Sequence, residues 1–144
     1  MRPFIQVLAR STAGAMIVNE STGVPLATSI EAALDSGSRK KGLLGRDGVA
    51  RRHAMVIAPT NAIHTFFMKF AIDIAFVRRN GQVAKVRANV RPWRIAACFS
   101  AYAVIELPAG TLERTGTVRG HTLEVQFVEP EATNCTSASA RPPV

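Results

Sequence analysis

The sequence predicts a mainly β protein of the α+β type, either a small antiparallel β-barrel or a half-open sandwich, with one or two short helices. Short apolar runs alternate with turn residues along most of the 144 positions. Asn80-Gly81 lies between two runs rich in β-branched residues, and this dipeptide indicates a hairpin with a type I′ turn, in which both residues have positive φ. Many short strands at close spacing favour a sandwich or a barrel over a helical fold.

In the N-terminal part the residue pattern predicts one hairpin and leaves the secondary structure of two stretches ambiguous. Residues 13–18 and 24–27 are mostly apolar, and the polar residues 19–23 between them are typical of a turn. Residues 1–12 fit no single element, and residues 30–34 fit either a strand or a helix. We therefore expect an antiparallel strand pair near the N-terminus.

A short cationic helix is predicted next. Ser36 or Ser38 is expected to cap its N-terminus, with Leu43 and Leu44 facing the core and the cations facing water. The stretch Gly42-Leu-Leu-Gly-Arg46 then allows two interpretations. In one, the glycines let the backbone approach a phosphate and Arg46 supplies a charge partner. In the other, a glycine ends the helix and Arg46 anchors the following loop.

The remaining elements are mostly strands. The two-residue period of a strand puts Ile72, Ile74 and Phe76 on one face. Asp73 then falls on the opposite face. Strands are predicted at residues 54–58, 72–77, 82–87, 101–107 and 122–128, and a single helical turn at 112–115.

The positive charge is concentrated in one block. The chain has 18 Lys and Arg against 10 Asp and Glu, a formal net charge of +8. Residues 39–94 contain 13 of the cations and two acids, Asp47 and Asp73, so this block carries +11. Such a block attracts an anionic small molecule, an acidic protein partner, nucleic acid or a lipid headgroup surface. Alternatively, because Arg outnumbers Lys by 14 to 4, it reflects a GC-rich genome.

One domain is expected over residues 1–129, since 144 residues are the usual size of a single domain. Residues 130–144, rich in Pro, Ser, Ala and Thr, are expected to form a disordered C-terminal tail. No apolar run approaches the length of a transmembrane helix, and the first residues fit a signal peptide poorly. A cytoplasmic location is therefore expected, with export or membrane association as the alternative. The oligomeric state stays open.

The candidate catalytic residues lie in one aromatic-rich segment. It places His64, Lys69 and Asp73 within ten residues. If these residues form a catalytic site, His64 would act as a general acid or base beside a Lys69–Asp73 couple. If their role is structural, Lys69 and Asp73 would form an internal ion pair while His64 hydrogen-bonds a turn. In an extended segment His64, Met68 and Phe70 would share a face.

Candidate binding residues include an aromatic residue and an isolated acid. Trp93 lies between Arg91 and Arg94, so it can stack on a base or another ring, or sit against its own arginines. Glu106 occupies an otherwise apolar strand and is expected to need a cationic partner, since a buried charge is costly. Arg46 and Arg91 are the partners we expect.

Metal and cofactor chemistry is not predicted. His53, His64 and His121 are dispersed along the chain, and neither cysteine has a neighbour at ligand spacing. The P-loop, G-x-G-x-x-G and G-x-S-x-G motifs do not occur. The expectation is therefore a protein without a metal or a cofactor.

Five short motifs follow one another along the chain. They are Gly42-Leu-Leu-Gly-Arg46, Ile63-His-Thr-Phe-Phe-Met-Lys-Phe-Ala-Ile-Asp73, Asn80-Gly-Gln-Val83, Arg91-Pro-Trp-Arg94 and Glu106-Leu-Pro-Ala-Gly110. From about Ile30 to Val125 the chain resembles the domain of unknown function 192 family of bacteria and archaea (uncharacterised protein family 0127). The second motif is similar to the family's shorter His-Thr-Phe-x-Met variant. Other members carry a Phe-Trp-Met-Lys-Asn-Thr version, often behind a signal peptide or anchor, and Ala71 stands here where a proline is common.

The resemblance implies a compact, mainly β fold and no established reaction, so no catalytic residue is carried over. Ten matching positions are candidates for a shared structural or binding site: Gly42, Arg46, His64, Thr65, Met68, Lys69, Asp73, Trp93, Glu106 and Gly110. Together with the residue patterns, this makes Arg46, Thr65, Arg91, Trp93 and Glu106 the predicted binding residues.

Three functions fit these observations. The favoured one is a small non-enzymatic binding or accessory domain with a basic face for an anionic ligand or partner. The second is an enzyme of unknown reaction that uses His64, Lys69 and Asp73. The third is binding to nucleic acid or an anionic surface through the +11 block.

Overall fold

Ten strands and three helices make up residues 4–128, the part of the chain that the computed structural model describes. The predicted tail at 130–144 lies outside the described residues. The helices are α1 (Phe4–Arg10), α2 (Ser36–Lys41) and α3 (Thr111–Thr115). The strands are β1 (Ala15–Asn19), β2 (Val24–Ala27), β3 (Ser29–Ala33), β4 (His53–Ile57), β5 (Ala62–His64), β6 (Ile72–Val77), β7 (Val83–Val90), β8 (Ile95–Ala97), β9 (Ala103–Pro108) and β10 (Leu123–Phe127).

A five-stranded sheet in the order β3-β4-β9-β6-β7 forms the centre of the fold. A three-stranded sheet, β10-β1-β2, and a two-stranded ribbon, β5-β8, accompany it. The described strands do not close into a barrel. The mainly β prediction is therefore confirmed, in its open, sandwich-like form.

One strand pair departs from the antiparallel prediction. β3 and β4 are parallel, with Ser29 opposite His53 and Ala33 opposite Ile57. Parallel neighbours need a crossover connection that returns the chain to the end of the sheet where it started. Here that crossover contains α2, which places this cationic helix beside one face of the central sheet.

Side chains of the central sheet alternate between two apolar clusters. On β6, Ile72, Ile74 and Phe76 belong to one cluster, as the strand period predicts. Ala75 and Val77 belong to the other. All six β6 residues are buried, so this strand is covered on both faces.

The two faces of the central sheet have different covers. The sandwich face packs against α1 and the three-stranded sheet. The crossover face packs against the chain around α2, the turn after β5, and β8, through Leu43, Met68 and Ala96. Glu106 of β9 has the same strand parity as Val104 of this second cluster. Its carboxyl group therefore lies on the crossover face.

Several local predictions near the N-terminus are resolved. The β1–β2 hairpin is confirmed, the ambiguous start forms α1, and residues 30–34 contribute to strand β3. The predicted cap of α2 is wrong, because Asp35 is the N-cap and its Oδ1 accepts a hydrogen bond from the Ser38 N–H at 2.9 Å. Ser36 and Ser38 lie inside the helix. Leu43 is buried as predicted, whereas Leu44 is only partly buried.

The β6–β7 hairpin forms, but its turn is not of type I′. Only Gly81 of the Asn80-Gly81 pair has a positive φ, at 89°. The Gly81 N–H donates to the Arg78 carbonyl at 2.9 Å, and the pairing is irregular next to the turn. This geometry is typical of a longer loop that ends in a glycine bulge. The short strands β5 and β8 were not predicted.

Candidate functional site

A cleft of about 320 Å³ opens on the crossover face, between α2 and β5. The cations Arg39, Lys40 and Lys41 of α2 line one side of it, and His64 of β5 lines the other. Glu106, only 4% exposed, lies at its base. The apolar part of the lining includes Leu43, Ile57, Ile63 and Met68.

Gly42 lets the chain leave α2 directly beside Glu106. It has φ 44° and ψ −126°, a combination that residues with a Cβ rarely adopt. A Cβ placed there would lie 3.5 Å from Glu106 Oε2 and 3.4 Å from Ile57 Cδ1, in ordinary contact. Backbone conformation rather than space therefore favours glycine at this position.

Glu106 is the buried acid that the sequence singles out, but its predicted ion pair is wrong. Arg46 Nη2 instead binds Glu31 Oε2 at 2.6 Å, and Arg91 forms no ion pair among residues 4–128. Burial raises the pKa of Glu106 to about 7, although the Leu43 backbone N–H and the nearby Arg46 charge act in the opposite direction. Oε2 has no hydrogen-bond partner within the described part of the chain. Near neutral pH the base of the cleft thus holds a mixture of acid and carboxylate.

Arg46 anchors its own loop. The guanidinium bonds both carboxylate oxygens of Glu31, and this hydrogen bond is the main reason why the pKa of Glu31 is lowered. His53, which the sequence did not mark as a site residue, places Nε2 3.7 Å from Glu31 Oε1 and Nδ1 3.0 Å from Ser29 Oγ. This geometry matches the second interpretation of the glycine-rich stretch, with Arg46 in a structural role.

Thr65 joins the turn after β5 to the loop before β8. Its side chain is buried, and Oγ1 donates to the Arg91 carbonyl at 2.7 Å and accepts from the Arg94 N–H at 2.9 Å. Its backbone N–H donates to the Arg94 carbonyl at 2.8 Å, and its carbonyl accepts from the Trp93 N–H at 3.0 Å. Thr65 and Arg91, both predicted to bind a ligand, therefore meet in a loop contact outside the cleft.

Two aromatic residues beside this contact have a left-handed backbone. Phe67 has φ 64° and Trp93 has φ 66°, and their ring centroids are 4.7 Å apart. The Phe66 ring lies 5.6 Å from the Trp93 ring and 4.9 Å from that of His64. Trp93 thus packs against phenylalanines, and the alternative in which it sits against its own arginines is not observed among the described residues.

His64, Lys69 and Asp73 do not meet in one site. Lys69 Nζ lies 3.0 Å from Asp47 Oδ1 in an exposed pair, whereas the Asp73 carboxylate is fully buried and accepts two backbone N–H groups. The predicted Lys69–Asp73 pair is therefore wrong. A turn directly after His64 breaks the extended segment on which that prediction depended.

Asp73 instead stabilises the start of α3. Its Oδ2 accepts the Leu112 N–H and its Oδ1 accepts the Asn89 N–H, both at 2.8 Å. The N-cap of α3 is Gly110, which has no side chain to satisfy the first N–H groups of the helix. A carboxylate from the adjacent strand supplies that acceptor, so Asp73 has a structural role.

The α2 cations were not among the predicted site residues. The sequence placed Arg39, Lys40 and Lys41 on a water-facing helix surface, and it gave no reason to connect them with Glu106. The available signal was the combination of a cationic helix ending in glycine with an acid in an apolar strand. Only the crossover between β3 and β4 brings the two together.

Among residues 4–128, no three His, Cys, Asp or Glu side chains are grouped so that they could hold a metal ion. None of the helices in the described part of the chain has the length and apolar character needed to cross a membrane.

The fold and the cleft define a mainly β, sandwich-like protein with a cation-lined cleft on one face of its central sheet. The chain belongs to the DUF192 family, described as "Uncharacterized ACR", whose family model matches residues 17–125. The match confirms the resemblance of the motifs and begins in β1, earlier than Ile30.

Two solved structures are similar to this chain. One is a proposed transcription regulator from Sinorhizobium meliloti 1021, with 25% sequence identity, a TM-score of 0.68, and coverage of 77% of this chain and 91% of that one. The other is a protein of unknown function from Novosphingobium aromaticivorans DSM 12444, with 24% identity, a TM-score of 0.64, and coverage of 76% and 82%. No curated protein matches the chain.

Proposed function

We propose that this protein is a small, non-enzymatic binding domain whose cleft takes an anionic small molecule with an apolar part. The observation that carries this proposal is the unpartnered Oε2 of buried Glu106 at the base of the cation-lined cleft. Leaving a buried polar atom without a partner costs about 1–3 kcal/mol of stability. A ligand that hydrogen-bonds this oxygen would recover part of that cost.

The lining supports the proposed chemistry of the ligand. The α2 helix has no buried residue, so Lys40 and Lys41 remain available at the cleft mouth. Cations at the mouth of a cleft attract and orient an anion. The anionic group of the ligand would lie between these cations and Glu106, with its apolar part against Ile57 and Met68, both of which are buried in the cluster on the crossover face.

Glu106 gives the proposed binding a pH dependence. In its protonated form it is neutral and donates a hydrogen bond, whereas its carboxylate repels an anion. Because burial raises its pKa to about 7, the protonated form dominates below neutral pH. Affinity for an anion is therefore expected to fall as the pH rises through 7.

The alternative of an enzyme acting through His64, Lys69 and Asp73 gains no support from the geometry. Such a site requires the three side chains to converge. Lys69 is engaged with Asp47, and Asp73 is engaged with backbone groups at α3.

Octanoate is a suitable first probe, because it joins a carboxylate to an apolar chain. A titration followed by two-dimensional amide NMR should move the signals of Gly42 and Leu43 with a saturable dependence on concentration. Octanol, which has the same chain without the charge, is the matched control and should bind several-fold more weakly. The variant Lys40→Ser should weaken octanoate binding several-fold, and Arg119→Ser, which removes an exposed cation between α3 and β10 that does not line the cleft, should leave it unchanged.

Two results would contradict the proposed function. One is the absence of saturable shifts around α2 at any pH between 5 and 8, the range that spans the titration of Glu106. The other is equal affinity for octanoate and octanol, which would show that the negative charge of the ligand does not contribute to its recognition.

A further inference from the structure

Four large apolar side chains are exposed on and beside the β5–β8 ribbon. Phe67 is 73% exposed, Trp93 56%, Ile95 67% and Phe99 90%. Ile95 pairs opposite His64 on the ribbon, Phe67 and Trp93 pack together at one end of β8, and Phe99 follows its other end. We call these four side chains the ribbon face. Grouped exposure of this kind marks an interaction surface.

The structure holds the ribbon face in place. Phe67 and Trp93 both have a left-handed backbone, which is costly for residues with a Cβ and persists only where neighbouring contacts enforce it. Thr65 supplies those contacts through its hydrogen bonds to the loop before β8. Lys85 Nζ donates to the Ala97 carbonyl at 2.9 Å and fixes the far end of β8.

The two chain segments that carry the ribbon face contain cations and no acid. Residues 61–69 and 91–101 contain Lys69, Arg91 and Arg94 and no acid. Asp47 from another segment offsets Lys69, but Arg91 and Arg94 are exposed and form no ion pair within residues 4–128. Exposed aromatic side chains beside cations complement a surface that is anionic outside and apolar just beneath.

We propose that the ribbon face docks onto an anionic lipid bilayer, with Trp93 at the depth of the headgroups and the two arginines on lipid phosphates. Tryptophan prefers this interfacial depth, and each nearby cation strengthens attachment to an anionic leaflet. A single-stranded nucleic acid fits less well, because base stacking needs free ring faces. Within the ribbon face, Phe67 and Trp93 pack on each other and Ile95 has no ring, so Phe99 alone of the four presents a ring without an aromatic neighbour in the described part of the chain.

The single tryptophan of the sequence makes a direct experiment available. Vesicles of equal parts phosphatidylglycerol and phosphatidylcholine, added at low salt, should shift Trp93 emission to shorter wavelength with a saturable dependence on lipid. Vesicles of phosphatidylcholine alone should bind several-fold more weakly. Phe99→Ser should weaken binding about tenfold, because one phenylalanine no longer enters the apolar layer.

Matched variants test the surface rather than the fold. Val118→Ser removes an apolar side chain that is 51% exposed in the loop between α3 and β10, and it should leave vesicle binding unchanged. Arg94→Gln should weaken binding and flatten its salt dependence, whereas Arg119→Gln should do neither. Glu106→Gln should bind vesicles like the unaltered protein, which separates this surface from the cleft. Thermal melting confirms that each variant is folded.

Four results would overturn the proposal. The first is unchanged Trp93 emission with phosphatidylglycerol vesicles. The second is wild-type vesicle binding by folded Phe99→Ser. The third is oligothymidine binding that depends on Phe99 while vesicles do not bind, which would assign the face to nucleic acid. The fourth is a dimer, measured by sedimentation, that Phe99→Ser converts to monomer, which would make the face a contact between two copies.

Discussion

Thr65 and Glu106 are both buried and polar, but they differ in whether their hydrogen-bonding groups have partners within the protein. Thr65 Oγ1 uses its capacity for hydrogen bonds within the protein, as donor to the Arg91 carbonyl and acceptor from the Arg94 N–H. Glu106 keeps one oxygen without a partner in the described part of the chain. A satisfied buried group stabilises the fold, whereas an unsatisfied one lowers stability until a ligand or water supplies its partner.

Glu106→Gln should increase stability at alkaline pH. Burial raises the pKa of Glu106 from 4.5 to about 7, so between these values the folded state binds the proton more tightly than the unfolded chain. The free energy of unfolding therefore falls as the pH rises through this window, by about 3 kcal/mol in total. Glutamine stays neutral and removes this loss. Urea unfolding of both proteins should agree at pH 4 and diverge in favour of Glu106→Gln at pH 9.

Glutamine and glutamic acid have nearly the same shape, and any difference in their packing does not depend on pH. Comparing acidic with alkaline pH therefore provides an internal check on this prediction. If Glu106→Gln changes stability equally at acidic and alkaline pH, the effect comes from packing and the carboxyl does not titrate near 7. A lower stability of the variant at pH 9 would contradict an unpartnered buried carboxylate.

Thr65→Val should lower the free energy of unfolding by about 1–3 kcal/mol, because two backbone groups lose their partner while the side-chain volume is kept. Thr22→Val is the matched control, since Thr22 is exposed and its hydroxyl makes a single long contact with the Val24 N–H. Chemical denaturation measures both. Equal stability of Thr65→Val and the unaltered protein would show that the loop contact does not depend on the hydroxyl.

At the scale of elements, the parallel β3–β4 pair determines where the site forms. The crossover that joins these strands contains α2, and Gly42 ends the helix next to β9. Neither strand distinguishes parallel from antiparallel pairing, since short apolar runs occur in parallel sheets and in sandwich cores alike. The sequence therefore predicts the cationic helix and the buried acid separately and cannot bring them together.

The α3 helix depends on an acceptor from another element. Asp73→Asn should lower the free energy of unfolding by about 2–3 kcal/mol, because one amide NH₂ must then face a buried backbone N–H. Asp47→Asn, whose side chain is 93% exposed, should change it by less than about 0.5 kcal/mol. Equal effects of the two substitutions on urea unfolding would contradict the assigned role of Asp73.

Substitutions at two turn glycines distinguish the cost of backbone strain from the cost of a steric clash. Gly81 and Gly120 have φ of 89° and 91°, but a Cβ on Gly81 would lie 2.3 Å from the Leu123 carbonyl oxygen, and a Cβ on Gly120 would meet nothing. Gly120→Ala should cost about 1–2 kcal/mol from strain alone, whereas Gly81→Ala should cost at least about 3 kcal/mol. Thermal unfolding of the pair measures the difference. Similar losses would mean that Leu123 moves away freely.

The hairpins and the buried strands were predictable because their signals are local. The β6–β7 hairpin follows from Asn80-Gly81, although the type of turn does not, since it depends on how Gly81 packs against Leu123. The partner of Asp73 was not predictable, because Leu112 lies 39 residues away. For Glu106 the sequence identified the free-energy cost of burying a charge and predicted an ion pair to offset it. In the structure a raised pKa, which favours the neutral acid, reduces that cost instead.

At the scale of the whole molecule, the +11 block separates into groups with different surroundings. Arg46 and Lys69 are paired with acids, Arg39 to Lys41 line the cleft, and Arg91 and Arg94 flank the ribbon face. These seven of the block's 13 cations therefore do not form one uniform basic surface. Five of them accompany two distinct places where anionic chemistry is proposed to bind, and each place can be tested without altering the other.

The pKa of Glu106 tests the central claim most directly. Carbon-13 NMR of its carboxyl group, recorded against pH with and without octanoate, should give a midpoint near 7 in the free protein. Octanoate should move the midpoint upward, because an anion in the cleft favours the neutral acid. A free midpoint near 4.5, or one near 7 that saturating octanoate leaves unchanged, would contradict a cleft in which Glu106 recognises an anionic ligand.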